Sequence, residues 1–172
     1  PPRSFPPNYV HLIRTQQTIH MQLSQTADQK ASMLMAATFV VFSLAVGQAK
    51  SSQVPVALLM LALFAFVSAL LAVSAVMPRA GPKVEQGNLL FFGNFANVPE
   101  AEFIARMKDI VSTDERIIDA MLRDIHQNGV VLATRKYRLL GFAYRTFVAG
   151  LALTLIVFLV EFGQTITHWF WH

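Results

Sequence analysis

The chain has 172 residues, 54% hydrophobic and only 14% charged, with a mean hydropathy of +0.46. A soluble domain of that composition has too little polar surface to cover its core, so the sequence reads as a membrane protein, and disorder, collagen-like repeats and low-complexity linkers are excluded. With no cysteine there is no disulfide, thiolate metal site or cysteine nucleophile, and the formal charge of +4 first reports which side of a bilayer faces the cytoplasm.

The N-terminal 30 residues open Pro-rich and polar, without a signal-peptide pattern. From Leu12 a three-four alternation (Leu12, Gln16, Ile19, Leu23, Thr26, Lys30) predicts a helix that continues into the first span. Its polar interruptions suit an oligomer or a wet axis better than a dry monomer core.

A hydrocarbon core about 30 Å thick needs roughly 20 apolar helical residues, and three windows supply them. These are 31–48, uncharged after Lys30; 54–77, with Pro55 near its start and Pro78 after it; and 141–163, carrying Arg145 near one end and Glu161 near the other. Small residues in the second window (Ala62, Ala65, Ser68, Ala69, Ala72) suit close helix packing.

The segment 78–140 reads as helical. After it opens, the run from Gly87 to Phe95 lacks the spaced glycines and Lys-Ser/Thr of a phosphate loop and predicts an interfacial phenylalanine wedge. After Pro99 a short amphipathic helix is acidic in its first turn and basic later, with Phe103, Ile104, Met107, Ile110 and Val111 on one face. Ser112, Thr113 and Asp114 supply a cap for the next helix, whose seam runs through Ile118, Met121, Ile125, Gly129, Leu132, Lys136 and Leu139 without a proline into the third span. All of the 14 lysines and arginines except Lys50 lie before the first span or between the second and the start of the third. The positive-inside rule therefore places residues 1–30 and 78–140 in the cytoplasm, and Lys50 and the tail 164–172 outside. The expected fold is an all-α, multi-pass membrane protein, its three transmembrane helices carrying long helical cytoplasmic extensions that form a stalk.

Three sets of residues stand out. Asp28, Lys30, Asp124 and Tyr137, with the neighbouring cations, are candidates for inter-helix pairs that couple the stalk to the membrane helices; ordinary solvated charges are the competing reading. Arg135, Lys136 and Arg138 are the best anion-binding candidates, repeated as a basic ring in a symmetric oligomer, with lipid-headgroup anchoring as the competing role. Glu161 is a pore-mouth candidate that would favour cations, or else a hydrated interfacial acid. The histidines His11, His20 and His126 lack metal-ligand spacing, and His168 and His172 fall in a tail expected to fray. No metal or cofactor is expected, and no convergent acids, bases or nucleophiles argue for an enzyme.

Several of these segments together resemble the Pycsar-effector transmembrane family. They are Ala27-Asp28-Gln29-Lys30-Ala31, Asn88-Leu89-Leu90-Phe91-Phe92-Gly93-Asn94, Glu102-Phe103, Arg123-Asp124-Ile125-His126-Gln127-Asn128 and Arg135-Lys136-Tyr137-Arg138-Leu139-Leu140, which cover about 22–150 in order. The resemblance implies a homo-oligomer such as a tetramer in the bacterial inner membrane. It implies an effector of antiphage, abortive-infection defence that opens an ion-conducting pore when a cyclic nucleotide or oligonucleotide arrives from a partner nucleotidyltransferase or cyclase. Many relatives carry a separate nucleotide-binding domain, and no stretch here is long enough to be one. The trigger is thus expected to bind the stalk, act through a partner, or be a different molecule. The rival expectation is a non-conducting scaffold or plasmid-transfer-associated membrane protein.

Overall fold

The computed structural model describes residues 6–48, 55–77, 88–96 and 98–170, with residues 92, 93 and 164–170 described by backbone alone. Lys50, Arg79, Lys83, Gly87 and the end of the tail, all part of the charge and interface expectations above, lie outside the described residues or their described side chains. The order is α1 (Tyr9–Gln48), α2 (Val56–Val76), α3 (Phe92–Phe95), α4 (Glu100–Ile110), α5 (Asp114–Val131), a π-helical stretch (Leu132–Tyr137) and α6 (Arg138–Phe170). No strand occurs among the described residues.

Among the described residues three helices are long and apolar enough to cross a bilayer: Tyr9–Gln48, Val56–Val76 and the continuous run Asp114–Gly163. Only 22%, 22% and 6% of their most apolar windows are buried within the chain. In water that much exposed leucine, valine and phenylalanine would be untenable. In lipid it is the expected surface, because acyl chains solvate apolar side chains as well as a protein core does.

Contacts divide the chain into two units, Pro1–Gln25 with Pro78–Thr134, and Thr26–Met77 with Arg135–His172. In the second unit α2 and α6 pack backbone-close. The buried face of α2 is small: Ala57, Ala65, Ser68, Ala72 and Ala75. These bring it against Ala143, Gly150 and Leu140 of α6. A Cβ on Gly150 would overlap the root of the Phe64 side chain, so only glycine permits this crossing. Ser68 Oγ, fully buried, donates to Ala143 O at 2.8 Å, which ties the two helices where no water could serve. Ala27, Ala31 and Leu34 of α1 complete the packed layer.

In the first unit α4 and α5 meet at a tight corner. Thr113 caps α5, its side chain accepting from Arg116 N, as the sequence led us to expect. Arg116 reaches back to the carboxylate and carbonyl of Asp109 and so closes the end of α4. Phe95, in the run expected to form an interfacial wedge, sets its ring centroid 5.3 Å from that of Phe103 on α4.

The seam of α1 lies one position away from the alternation predicted for it. Leu12 is 70% exposed and Ile19 and Leu23 are also exposed, whereas Ile13, Ala27, Ala31 and Leu34 are buried and Gln17, His20 and Ser24 are half-buried. Apart from Ile13 and Leu34, the seam is made by small and polar side chains, which an apolar count passes over. Gly129 shows why they are there: a Cβ on it would stand 3.1 Å from His20 Cε1, so the glycine of α5 makes room for an imidazole.

Candidate functional site

The helices place the candidate residues in three groups. In the first unit Asp124 is 8% exposed and accepts from three side-chain amides: Asn88 Nδ2 at 2.6 Å, Asn128 Nδ2 at 2.9 Å and, at the limit, Gln17 Nε2 at 3.5 Å. A buried carboxylate is costly unless hydrogen bonds satisfy its lone pairs, and these donors come from the turn at 88–90, from α5 itself and from α1. Asn88 is itself 5% exposed, and its Oδ1 accepts from Leu90 N at 2.9 Å. The turn is thereby fixed from inside and from α5 at once. Asp124 and this hub lie in the first unit, and Asp28 and Lys136 in the second.

In the second unit Lys136 Nζ donates to both carboxylate oxygens of Asp28, at 2.8 and 3.0 Å. Lys136 is 24% and Asp28 46% exposed at the side chain, so the pair is partly shielded from solvent. Of the basic cluster, then, Lys136 is engaged, Arg138 is exposed, and Arg135 is half-buried with Nη2 lacking a partner. All three fall on or beside the π-helical stretch Leu132–Tyr137. The sequence predicts unbroken helix there, and the helix is continuous, but its hydrogen bonds widen to i→i+5. Such stretches are rare and concentrate at functional positions. Lys30 and Tyr137 line one recess of about 420 Å³ with Leu140, Gly141 and Tyr144, and Tyr144 Oη donates to Lys30 O at 3.1 Å.

Glu161 Oε1 accepts from Val56 N at 3.0 Å. Pro55, the N-cap of α2, offers no side-chain cap. A carboxylate from α6 therefore meets the first N–H of α2, where an unsatisfied donor and the positive end of the helix dipole both favour an anion. Sequence reasoning read Glu161 for its charge and missed this partner, which is 105 positions away. It also missed Asn88 and Gln17. The i, i+4 spacing of Asp124 and Asn128 is the one local signal that could have pointed to the hub.

Among the described residues no group of three histidines, aspartates or glutamates could hold a metal ion.

Long apolar helices with outward-facing apolar surfaces define a helical membrane protein. Residues 11–162 match the Pycsar effector protein domain. The chain belongs to that family, and its role is that of a membrane effector in antiphage defence. No curated protein and no solved structure matches it.

Proposed function

We propose that the protein is a homo-oligomeric effector of the bacterial inner membrane that permeabilises it when a nucleotide signal made by a partner cyclase or nucleotidyltransferase arrives. The observation that carries this reading is the family match over 11–162 on a chain whose spans leave their apolar faces open to lipid or to further copies. The spans are 31–48, 54–77 and 141–163; residues 1–30 and 78–140 form a cytoplasmic stalk; 164–172 lie outside. The Asp28–Lys136 pair, with Lys30 and Tyr137 beside the same helices, couples a change in the helix running from Asp114 to the membrane segments. Ligand moves that equilibrium only through unequal affinity for two packings. Arg135 and Arg138 are the cations of the basic cluster left to meet a phosphate, on lipid or on the signal. Glu161, besides capping α2, contributes the acidic group nearest the outer mouth.

Expression with and without an active partner cyclase, followed by membrane-potential dye fluorescence, tests the reading. Depolarisation that depends on the cyclase supports it. A protein that is inserted and oligomeric yet leaves the potential unchanged in both backgrounds points to a non-conducting scaffold. A reporter fused after His172 checks the topology, since an odd number of spans puts it outside.

A further inference from the structure

A Cβ on Gly141 of α6 would meet nothing within 4 Å, whereas one on Gly150 of the same helix would overlap Phe64. Glycine weakens a helix, and in a membrane it is normally found where a neighbouring helix comes close. Gly150 has such a neighbour, and among the described residues Gly141 has none. It faces instead the recess of about 420 Å³ that Lys30 of α1 forms with Tyr137, Leu140 and Tyr144. All five residues belong to the second unit. They also mark one level along the spans: Lys30 is the last charge before the window 31–48, and Gly141 opens the window 141–163. The recess therefore lies at the polar end of two apolar stretches, the depth at which tyrosines collect and lipid phosphates lie.

The charge around the recess is unmatched. Among the described residues the Lys30 ammonium has no hydrogen-bond or ion-pair partner; only its carbonyl is engaged, by Tyr144 Oη at 3.1 Å. Arg138 and Arg145, three residues before Gly141 and four after it, share its stripe of α6; both are exposed, and neither has a partner among the described residues. Asp28, two residues from Lys30, is held by Lys136. We propose that the recess binds the headgroup of an anionic phospholipid. Its phosphate meets Lys30, with Arg138 and Arg145 beside it, and its glycerol region lies against Leu140, Gly141 and the tyrosine rings. Its acyl chains run onto the exposed apolar side chains further along α1 and α6. A zwitterionic lipid brings its own cation to the same place and so gains less. Charge also decides against a helix from a second copy. The windows 31–48, 54–77 and 141–163 contain one acid, Glu161, which stands about 30 Å along the helix from Gly141. No span of another copy therefore brings an anion to Lys30, and a helix seated there would bury that charge unpaired. A bound lipid joins α1 to α6 at the level of the Asp28–Lys136 pair. The proposal rests on the membrane-spanning reading above and on neither the pore nor the signal.

The test is native mass spectrometry of the full-length protein, released from detergent that holds equal amounts of phosphatidylglycerol and phosphatidylcholine. Phosphatidylglycerol is expected to be retained in preference by about tenfold or more, the effect of one charge-assisted hydrogen bond. Lys30→Ala is expected to lower that preference about tenfold, and Lys30→Arg to keep it. Gly141→Leu, which fills the recess without a clash, is expected to abolish it, while Lys108→Ala, an exposed cation on α4 outside the recess, leaves it unchanged. Lys30 is exposed and a Cβ on Gly141 meets nothing, so these variants should fold, which helical circular dichroism checks. Equal retention of the two lipids by wild type, or a preference that Lys30→Ala and Gly141→Leu both leave intact, overturns the proposal. Displacement of the lipid by inorganic phosphate also overturns it, since the recess is then a site for free anions. Loss of the oligomer in Gly141→Leu with the lipid preference unchanged gives the recess to a second copy instead. Protein that alkaline carbonate strips from membranes removes the spanning reading and the site together; integral protein without the preference removes the site alone.

Discussion

Asn88 donates its side-chain amide to the carboxylate of Asp124 across 2.6 Å and 36 positions of sequence, and both residues are more than nine-tenths buried. Asp124→Ala leaves the amides of Asn88 and Asn128 without their acceptor inside the first unit. The expected cost is about 2–4 kcal/mol, since each hydrogen bond to a charged group contributes roughly 1.5–3. Thermal unfolding in detergent checks it: a lower midpoint is expected for Asp124→Ala, and a smaller drop for Asn128→Ala, which removes one donor and keeps Asn88 in place.

Gly150 is the closest approach of α6 to α2. Gly150→Ala forces a methyl against the Cβ of Phe64, an atom that no rotamer change can move away. Overpacking of this kind costs about 1–3 kcal/mol. Loss of midpoint in Gly150→Ala, and recovery in Gly150→Ala with Phe64→Gly when measured against Phe64→Gly alone, would locate the strain at this pair, since glycine removes the clashing Cβ.

Ser68→Ala removes a single inter-helix hydrogen bond of 2.8 Å and little volume. The effect should be small, about 0.6 kcal/mol, because an alternative partner is available in the separated helices as well. Ser68→Leu should be far worse, since the residue is completely buried between α2 and α6.

The Asp28–Lys136 pair is partly exposed, so its contribution to stability should be modest, about 0.5–1 kcal/mol in a double-mutant cycle. Its larger effect is expected on gating. Asp28→Lys and Lys136→Asp should each shift the ligand concentration that opens the protein, and the exchanged pair should restore it towards wild type. Independent effects of the two changes would argue against coupling through this contact.

Glu161→Gln keeps an acceptor for Val56 N but removes the charge at the start of α2, so a loss of only about 0.3–1 kcal/mol is expected. Glu161→Ala should lose roughly 1–2 kcal/mol, because the first N–H of α2 then has no cap from Pro55 either. The ordering of the two midpoints checks the capping role independently of any effect on ion selectivity.

Where a residue acts on its own neighbourhood in the chain, the sequence was a good guide. Thr113 announces its helix through local capping chemistry, and Ile118 and Leu132 are buried where the 3.6-residue period puts them. The three long apolar helices follow from composition and length alone. The α1 seam was harder to see because it is built from Ala27, Ala31, Gln17 and His20, whose burial depends on what faces them and not on their own hydrophobicity. The hub at Asp124 and the cap at Glu161 were hidden for a related reason: each joins residues far apart in sequence, Asp124 to Asn88 and Gln17 and Glu161 to Val56, and no periodicity encodes such a partner. The π-helical stretch carries no composition of its own, since Leu132–Tyr137 would serve equally well in an α-helix.

The most direct measurement is ion flux through the purified full-length protein in sealed liposomes, recorded with and without each of the four 3′,5′-cyclic mononucleotides. A gated effector gives a flux that one of them switches on or off. A folded, oligomeric sample that carries no flux under any of these conditions contradicts permeabilisation and leaves the membrane helices as a scaffold.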